Sequence, residues 1–279
     1  MLNLSTSIDQ RHVLTFGEVA KVAEELEIPF IVVGAMARDL ILHHVYGAPI
    51  KRATDDIDFG VQVGTWEEFN RLKSKLYENG YSEDKQEQRL IDPRGKSVDL
   101  VPFGSLQDAD ANIGFPPKGD FKMSVLGFQE ALDNSVRAIV QKDPYIEVSV
   151  VSPQGMALLK IIAWSDRGRD KRGKDALDLT YLMEAYERVA GIQDRVFEIE
   201  GLMESVGHDL PQASAYVLGQ DAAEIAKRET KIVVVDILER ALDDENPSNL
   251  TIEMSDRGRF DSSNEHALLS SFSRGFKSE

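Results

Sequence analysis

The spacing of apolar positions changes character near the middle of the chain. Up to about residue 151, short apolar runs alternate with stretches of helical spacing; beyond it, helical spacing dominates. Thr15 and Glu18 stand three apart ahead of Val19, Val22, Ala23 and Leu26, which predicts a capped helix stopping near Pro29. Residues 29–33 are an apolar, β-branched run expected to form a buried strand, ended by Gly34, and 35–45 read as a second helix closing at Gly47. Polar and apolar positions alternate over 56–61, as in a half-buried strand, and Thr65 with Glu68 opens a helix that Asn79-Gly80 ends. Segments 86–91 and 97–101 predict a hairpin around the turn Pro93-Arg94-Gly95-Lys96, and a loop-rich stretch with Gly114, Pro116, Pro117 and Gly119 follows. Strands are expected over 136–140 and 146–151. Ser152-Pro153 then opens a helical region, with helices over 153–165, 174–189, 211–226 and 231–242.

The pattern predicts an α/β domain over 1–151 with a small mixed sheet, and an all-helical domain over 152–279 ending in a poorly ordered polar tail. The 279 residues suit one large domain or two modest ones, at roughly 100–200 residues per domain. With 42% apolar and 29% charged residues the composition is that of a globular protein. The absence of cysteine excludes disulfides and Cys-ligated zinc or iron–sulfur sites. The first residues have no basic stretch leading into an apolar one, and no run approaches 18 apolar residues, so a cytoplasmic protein with no membrane partner is expected. A net charge of −16 opposes non-specific binding to a phosphate backbone, yet clustered carboxylates are what a hard divalent cation requires.

The sharpest chemical feature is Thr54-Asp55-Asp56-Ile57-Asp58-Phe59. Asp56 and Asp58 are two apart on a predicted strand, so their side chains share one face. Asp99, in Ser97-Val98-Asp99-Leu100-Val101, lies on a second predicted strand. If the strands are neighbours, three carboxylates meet, and a cation such as Mg²⁺ relieves their repulsion while being shared with substrate phosphates. Taken alone, Asp-x-Asp is equally a solvated strand face. Upstream, Ile31-Val32-Val33-Gly34-Ala35-Met36-Ala37 reads as strand, small-residue turn and helix start, a shape that lets backbone amides approach a phosphate. There is neither a Walker lysine nor a Gly-x-Gly-x-x-Gly motif. The five histidines have no metal-ligand spacing with each other.

In the helical part, Lys160 stands among Leu158, Leu159, Ile161 and Ile162 and needs either an anionic partner or an exit to water. A basic loop follows, Arg167-Gly168-Arg169-Asp170-Lys171-Arg172, and then Lys174-Asp175-Ala176-Leu177-Asp178, with Asp175 and Asp178 on one helical face.

Together, the strand–Gly34-Ala35–helix, Asp56-x-Asp58 and the later Asp99 resemble the nucleotidyltransferase superfamily of DNA polymerase β type. Ala35 stands where that pattern has Gly or Ser. Lys160 and the Lys174-Asp175-x-x-Asp178 helix start resemble the AbiEii/AbiGii-type nucleotidyltransferases, toxin components of type IV toxin–antitoxin systems. The resemblance implies transfer of a nucleoside monophosphate from a nucleoside triphosphate to a hydroxyl, with Asp56, Asp58 and Asp99 as catalytic residues around two Mg²⁺ ions. It implies nucleotide contacts from Gly34, Ala35, Lys160, Lys174 and Asp175, an RNA acceptor such as a tRNA 3′ end, and an antitoxin partner. The residues themselves leave open a small-molecule or protein acceptor, and a nucleotide-binding regulator without turnover.

Overall fold

A computed structural model describes the chain except residues 52–53, 117–118, 120–121, 244, 246–248, 256–261 and 279. Pro117 of the loop-rich stretch and parts of the expected tail lie outside the described residues. The chain divides into two compact units, one of Met1–Val45 with Arg52–Ser152 and one of Tyr46–Lys51 with Pro153–Glu279.

The first unit is built on a mixed eight-stranded sheet of β1 (Leu2–Asn3), β2 (Phe30–Val33), β3 (Ile57–Gln62), β4 (Ser82–Glu83), β5 (Arg89–Ile91), β6 (Ser97–Phe103), β9 (Val136–Lys142) and β10 (Tyr145–Val150). Two short strands, β7 (Asn112–Gly114) and β8 (Lys122–Ser124), pair separately. The order across the main sheet is β1-β9-β10-β2-β3-β6-β5-β4. Strand β3 pairs antiparallel with β2 and parallel with β6, while β5 and β6 form the expected antiparallel hairpin.

Helices of this unit are α1 (Gln10–Glu25), α2 (Gly34–Arg38), α3 (Trp66–Glu78) and α4 (Phe128–Asp133). Helix α1 begins earlier than the Thr15 signature indicates, because the Asp9 side chain caps it by accepting from the Arg11 N–H. Thr15 is an interior residue of the helix, and its hydroxyl donates to Asp92 Oδ2 at 2.7 Å. Helix α2 is one short turn that continues as a π-helical stretch over Asp39–Val45. Thr65 caps α3 as expected, accepting from the Glu68 N–H. The six-residue α4 has no sequence periodicity to announce it.

Side-chain alternation along β3 separates two environments. Phe59 faces α1, packing edge-on against Phe16 with ring centroids 6.1 Å apart. On the opposite face, a Cβ on Gly60 would lie 2.9 Å from the Phe128 ring of α4, and Phe128 packs on Phe103 of β6. One end of that second face carries Asp58 and Asp99.

The second unit is helical: α5 (Pro153–Asp166), α6 (Gly173–Ala185), α7 (Ile192–Glu198), α8 (Leu202–Ser205), α9 (Leu210–Ile225), α10 (Arg228–Ala241), α11 (Leu250–Met254) and α12 (Ser263–Lys277). Lys51, from the segment that groups with this unit, pairs with Glu184 and lies over the Tyr181 ring. The expected disordered tail is corrected here. Helix α12 buries Leu268, Leu269, Phe272 and Phe276 and crosses α9 where both helices carry glycine. A Cβ on Gly219 would fall 2.1 Å from the Phe272 carbonyl oxygen, and one on Gly275 would fall 1.9 Å from that of Tyr216. The helix looks polar because Ser263, Asn264, His266, Arg274 and Lys277 are exposed and Glu265, Ser271 and Ser273 are buried polar residues, while its large apolar residues recur at i, i+1, i+4 and i+8 on one side.

Candidate active site

Strands β3 and β6 run parallel with Asp58 opposite Asp99. Neighbouring strands are about 4.8 Å apart, so the two carboxylates stand side by side on one sheet face. Gly34, at the end of β2, closes against them. Its φ is +71°, and a Cβ there would lie 2.0 Å from Asp58 Oδ2. Only glycine fits both the left-handed backbone and that approach. The turn Gly34-Ala35 therefore rests directly on the Asp58 carboxylate.

Asp56 lies just before β3, with its side chain about half exposed. On β5, Arg89 stands between Asp56 and Asp99, two of the three carboxylates expected to meet. The Arg89 guanidinium holds Asp99 in a two-pronged contact, Nε to Oδ1 at 2.7 Å and Nη2 to Oδ2 at 2.8 Å, and its Nη2 lies 3.8 Å from Asp56 Oδ2. The hydrogen bonds to Asp99 hold the guanidinium well above its ordinary pKa; partial burial opposes this, and the charges of Asp99 and Asp56 add to it. Sequence reasoning passed over Arg89, although a signal existed. A hairpin centred on Arg94 places residue 89 opposite residue 99, and the observed register does so.

Asp55 turns the other way. It receives a hydrogen bond of 2.8 Å from Lys96 Nζ, which also lies 3.0 Å from His12 Nε2 of α1. The Lys96 hydrogen bond holds the Asp55 carboxyl below its usual value, while burial, then the Lys96 charge, pushes the His12 imidazole down. Consecutive aspartates thus serve opposite faces: Asp55 ties the approach of β3 to α1, and Asp56 is left for the open face. A second clamp fixes the β5–β6 turn to α1, with Arg94 donating to Glu18 at 2.6 Å and 2.8 Å and to Asp92 at 2.9 Å.

The remaining expected site residues belong to the helical unit. Lys160 Nζ lies 2.9 Å from Asp175 Oδ1 and 2.6 Å from Asp178 Oδ2, and Arg167 donates to Asp175 Oδ2 at 2.8 Å. The partner that the sequence demanded for Lys160 is therefore a pair of buried carboxylates one turn apart on α6. Burial pulls the Lys160 ammonium down, but the charges of Asp178 and Asp175 outweigh it and leave its pKa raised. Lys174 is exposed at the start of α6. Nearby, Arg172 forks onto Glu253 with contacts of 2.6–3.0 Å and stacks over Trp164, whose indole N–H donates to the same Glu253.

Among the described residues, no group of three or more His, Asp or Glu side chains is placed to hold a metal ion. The donor chemistry nevertheless fits a hard divalent cation: Asp58 and Asp99 are paired in register, and Asp99 and Asp56 already gather positive charge from Arg89.

A family match identifies the chain as a nucleotidyltransferase. Residues 20–201, well over half of the chain, match the family described as nucleotidyl transferase AbiEii toxin, type IV TA system, and the chain belongs to that family. No curated protein matches. Among solved structures, the chain is similar to ANT(2″)-Ia in complex with adenylyl-2″-tobramycin, at 12% identity and a TM-score of 0.39 over 62% of this chain and 88% of that one. It is also similar to the Thermotoga maritima CCA-adding enzyme complexed with tRNA, at 13% identity and a TM-score of 0.26 over 96% of this chain and 81% of that one. The family assignment rests on the family match and draws nothing from these distant likenesses. No helix among the described residues is long and apolar enough to cross a membrane.

Proposed function

We propose that this nucleotidyltransferase transfers a nucleoside monophosphate from a nucleoside triphosphate to a hydroxyl acceptor on the Asp58–Asp99 face. The observation that carries this is the register pairing of the two carboxylates against a turn glycine whose left-handed backbone packs directly on Asp58. Asp56, Asp58 and Asp99 would hold two Mg²⁺ ions, which when bound supply charge neutralisation of the triphosphate and polarisation of its α-phosphate. The backbone amides of Gly34 and Ala35 bind the β- and γ-phosphates, which orients the α-phosphate for in-line attack. Asp99 accepts the proton of the acceptor hydroxyl. The acceptor oxygen bonds to the α-phosphorus as the bond to the bridging oxygen breaks, and pyrophosphate leaves. Lys160, Lys174 and Asp175 are further candidates for nucleotide contact, each assayed by substitution.

The acceptor is proposed to be RNA, as suits a toxin of a type IV system with an antitoxin partner. The net charge of −16 favours the second reading, a small-molecule or protein hydroxyl. The test is incubation of the protein with each α-³²P-labelled nucleoside triphosphate, Mg²⁺ and total cellular RNA. Label in RNA that requires Mg²⁺ supports the first reading. Label found only in protein or small-molecule fractions supports the second, and label in neither sinks the transfer proposal.

A further inference from the structure

We propose that Arg89 is the resident counter-cation of this carboxylate site, and that a divalent cation binds there by displacing it. The proposal rests on the metal-dependent reading above and goes beyond it. Both oxygens of Asp99 are engaged by the guanidinium, at 2.7 Å and 2.8 Å. The fork takes one lone pair of each oxygen and sets a positive charge beside them, so a divalent cation competes with Arg89 for Asp99 and gains its full use once Arg89 turns away. The same holds for a proton from an acceptor hydroxyl.

The geometry provides for that exit. The Arg89 side chain is 24% exposed, against 15% for Asp99, so it reaches solvent from the contact it makes. Strand β5 is three residues long and is flanked on its outer side only by the two-residue β4. The β5 backbone is meanwhile held by its pairing with β6, so the side chain can move while the strand stays. The second contact, 3.8 Å to Asp56, places the guanidinium between the two acids that would otherwise repel. Arginine is suited to this exchange because its planar fork neutralises a carboxylate without a metal and serves phosphate oxygens equally well once released. Arg89 thus offsets part of the carboxylates' charge, and the metal affinity of the site is set by how tightly Arg89 holds on.

The probe is Mn²⁺ binding to the full chain, followed by titration calorimetry and by thermal melting in EDTA and in Mn²⁺. The proteins are the wild type, Arg89→Gln, Arg89→Lys and Asp58→Asn. A charge-assisted pair contributes enough that its loss should tighten Mn²⁺ binding by Arg89→Gln roughly tenfold. Arg89→Gln should also melt below the wild type in EDTA and recover in Mn²⁺, a rescue that a purely structural arginine would not show. Arg89→Lys keeps the charge and loses the fork, so it should fall between the two; it also serves if Arg89→Gln does not fold. Equal or weaker Mn²⁺ binding by the Arg89 variants, with wild-type binding abolished by Asp58→Asn, overturns the counter-cation and leaves the metal site standing. Mn²⁺ binding that is absent, or indifferent to Asp58→Asn, removes the metal site and this proposal with it.

Discussion

At the strand edge of the first unit, Arg89 is shared by Asp99 and Asp56; in the helical unit, Lys160 is shared by Asp175 and Asp178. Both clusters hold two carboxylates against a shared cation, the helical one with Arg167 as a second cation on Asp175, and they differ in solvent access. Asp175 and Asp178 are 2% and 3% exposed, whereas Asp56 is 53% exposed. In the closed cluster, desolvated charges depend on each other, and removing one strands the rest. In the strand-edge cluster, water reaches Asp56 and takes up much of what a lost partner gives up there. Exposure at Asp56, together with the glycine turn against Asp58, is what sets the strand-edge cluster apart from the buried one.

The sharpest way to break the comparison is Lys160→Met. It leaves Asp175 and Asp178 buried beside a thioether, with Arg167 as the remaining cation on Asp175. The expected loss is about 3–5 kcal/mol, or a melting temperature lower by roughly 10 °C in a chain of this size. A melt within about 2 °C of wild type would show that the cluster is not closed in the sense argued. Asp56→Asn should do the opposite. Transfer should fall by about a hundredfold to a thousandfold, with the melt moved by no more than about 3 °C, because the side chain is half in water.

A smaller effect is expected at the α9–α12 crossing. Gly275→Ala pushes a methyl group against the Tyr216 carbonyl, and overpacking of this kind costs about 1–3 kcal/mol. Denaturant unfolding reads it directly, and an unchanged midpoint would return α12 to the status of a loose tail. The smallest effect is the pH response of the Asp55–Lys96–His12 tie. Burial and Lys96 lower the His12 pKa from its ordinary 6.5 in the folded chain, so the unfolded chain takes up the proton first. His12 then contributes its full stability above pH 6.5 and loses it as the pH falls below that value. The stability difference between wild type and His12→Gln should shrink from pH 7 toward pH 5; a constant difference would mean that His12 is not held neutral.

Much of this was legible in the amino-acid pattern, for identifiable reasons. Period-two alternation marked β3 and the hairpin signal marked β5 with β6, but that β3 lies beside β6 was left as a condition, because a parallel pairing across distant segments leaves no local signature. The Gly34-Ala35 turn was marked by the abrupt end of a β-branched run. Arg89 was missed because the eye follows carboxylates, while its meaning depends on register across a turn. The anionic partner that Lys160 required proved to include Asp175, fifteen residues away and joined by the return from α5 to α6, a pairing the sequence pattern did not announce. Helix α4 was invisible because six residues carry no period. Helix α12 was hidden because glycine and serine at a close helix crossing resemble the composition of a loop.

The most direct test of the central claim pairs two readouts on two variants. Mg²⁺-dependent transfer of α-³²P-labelled nucleotide and the thermal melt are measured together for Asp58→Asn and Lys160→Met. The account predicts that Asp58→Asn loses transfer while the chain stays folded, and that Lys160→Met loses stability first. Full transfer by folded Asp58→Asn would contradict it.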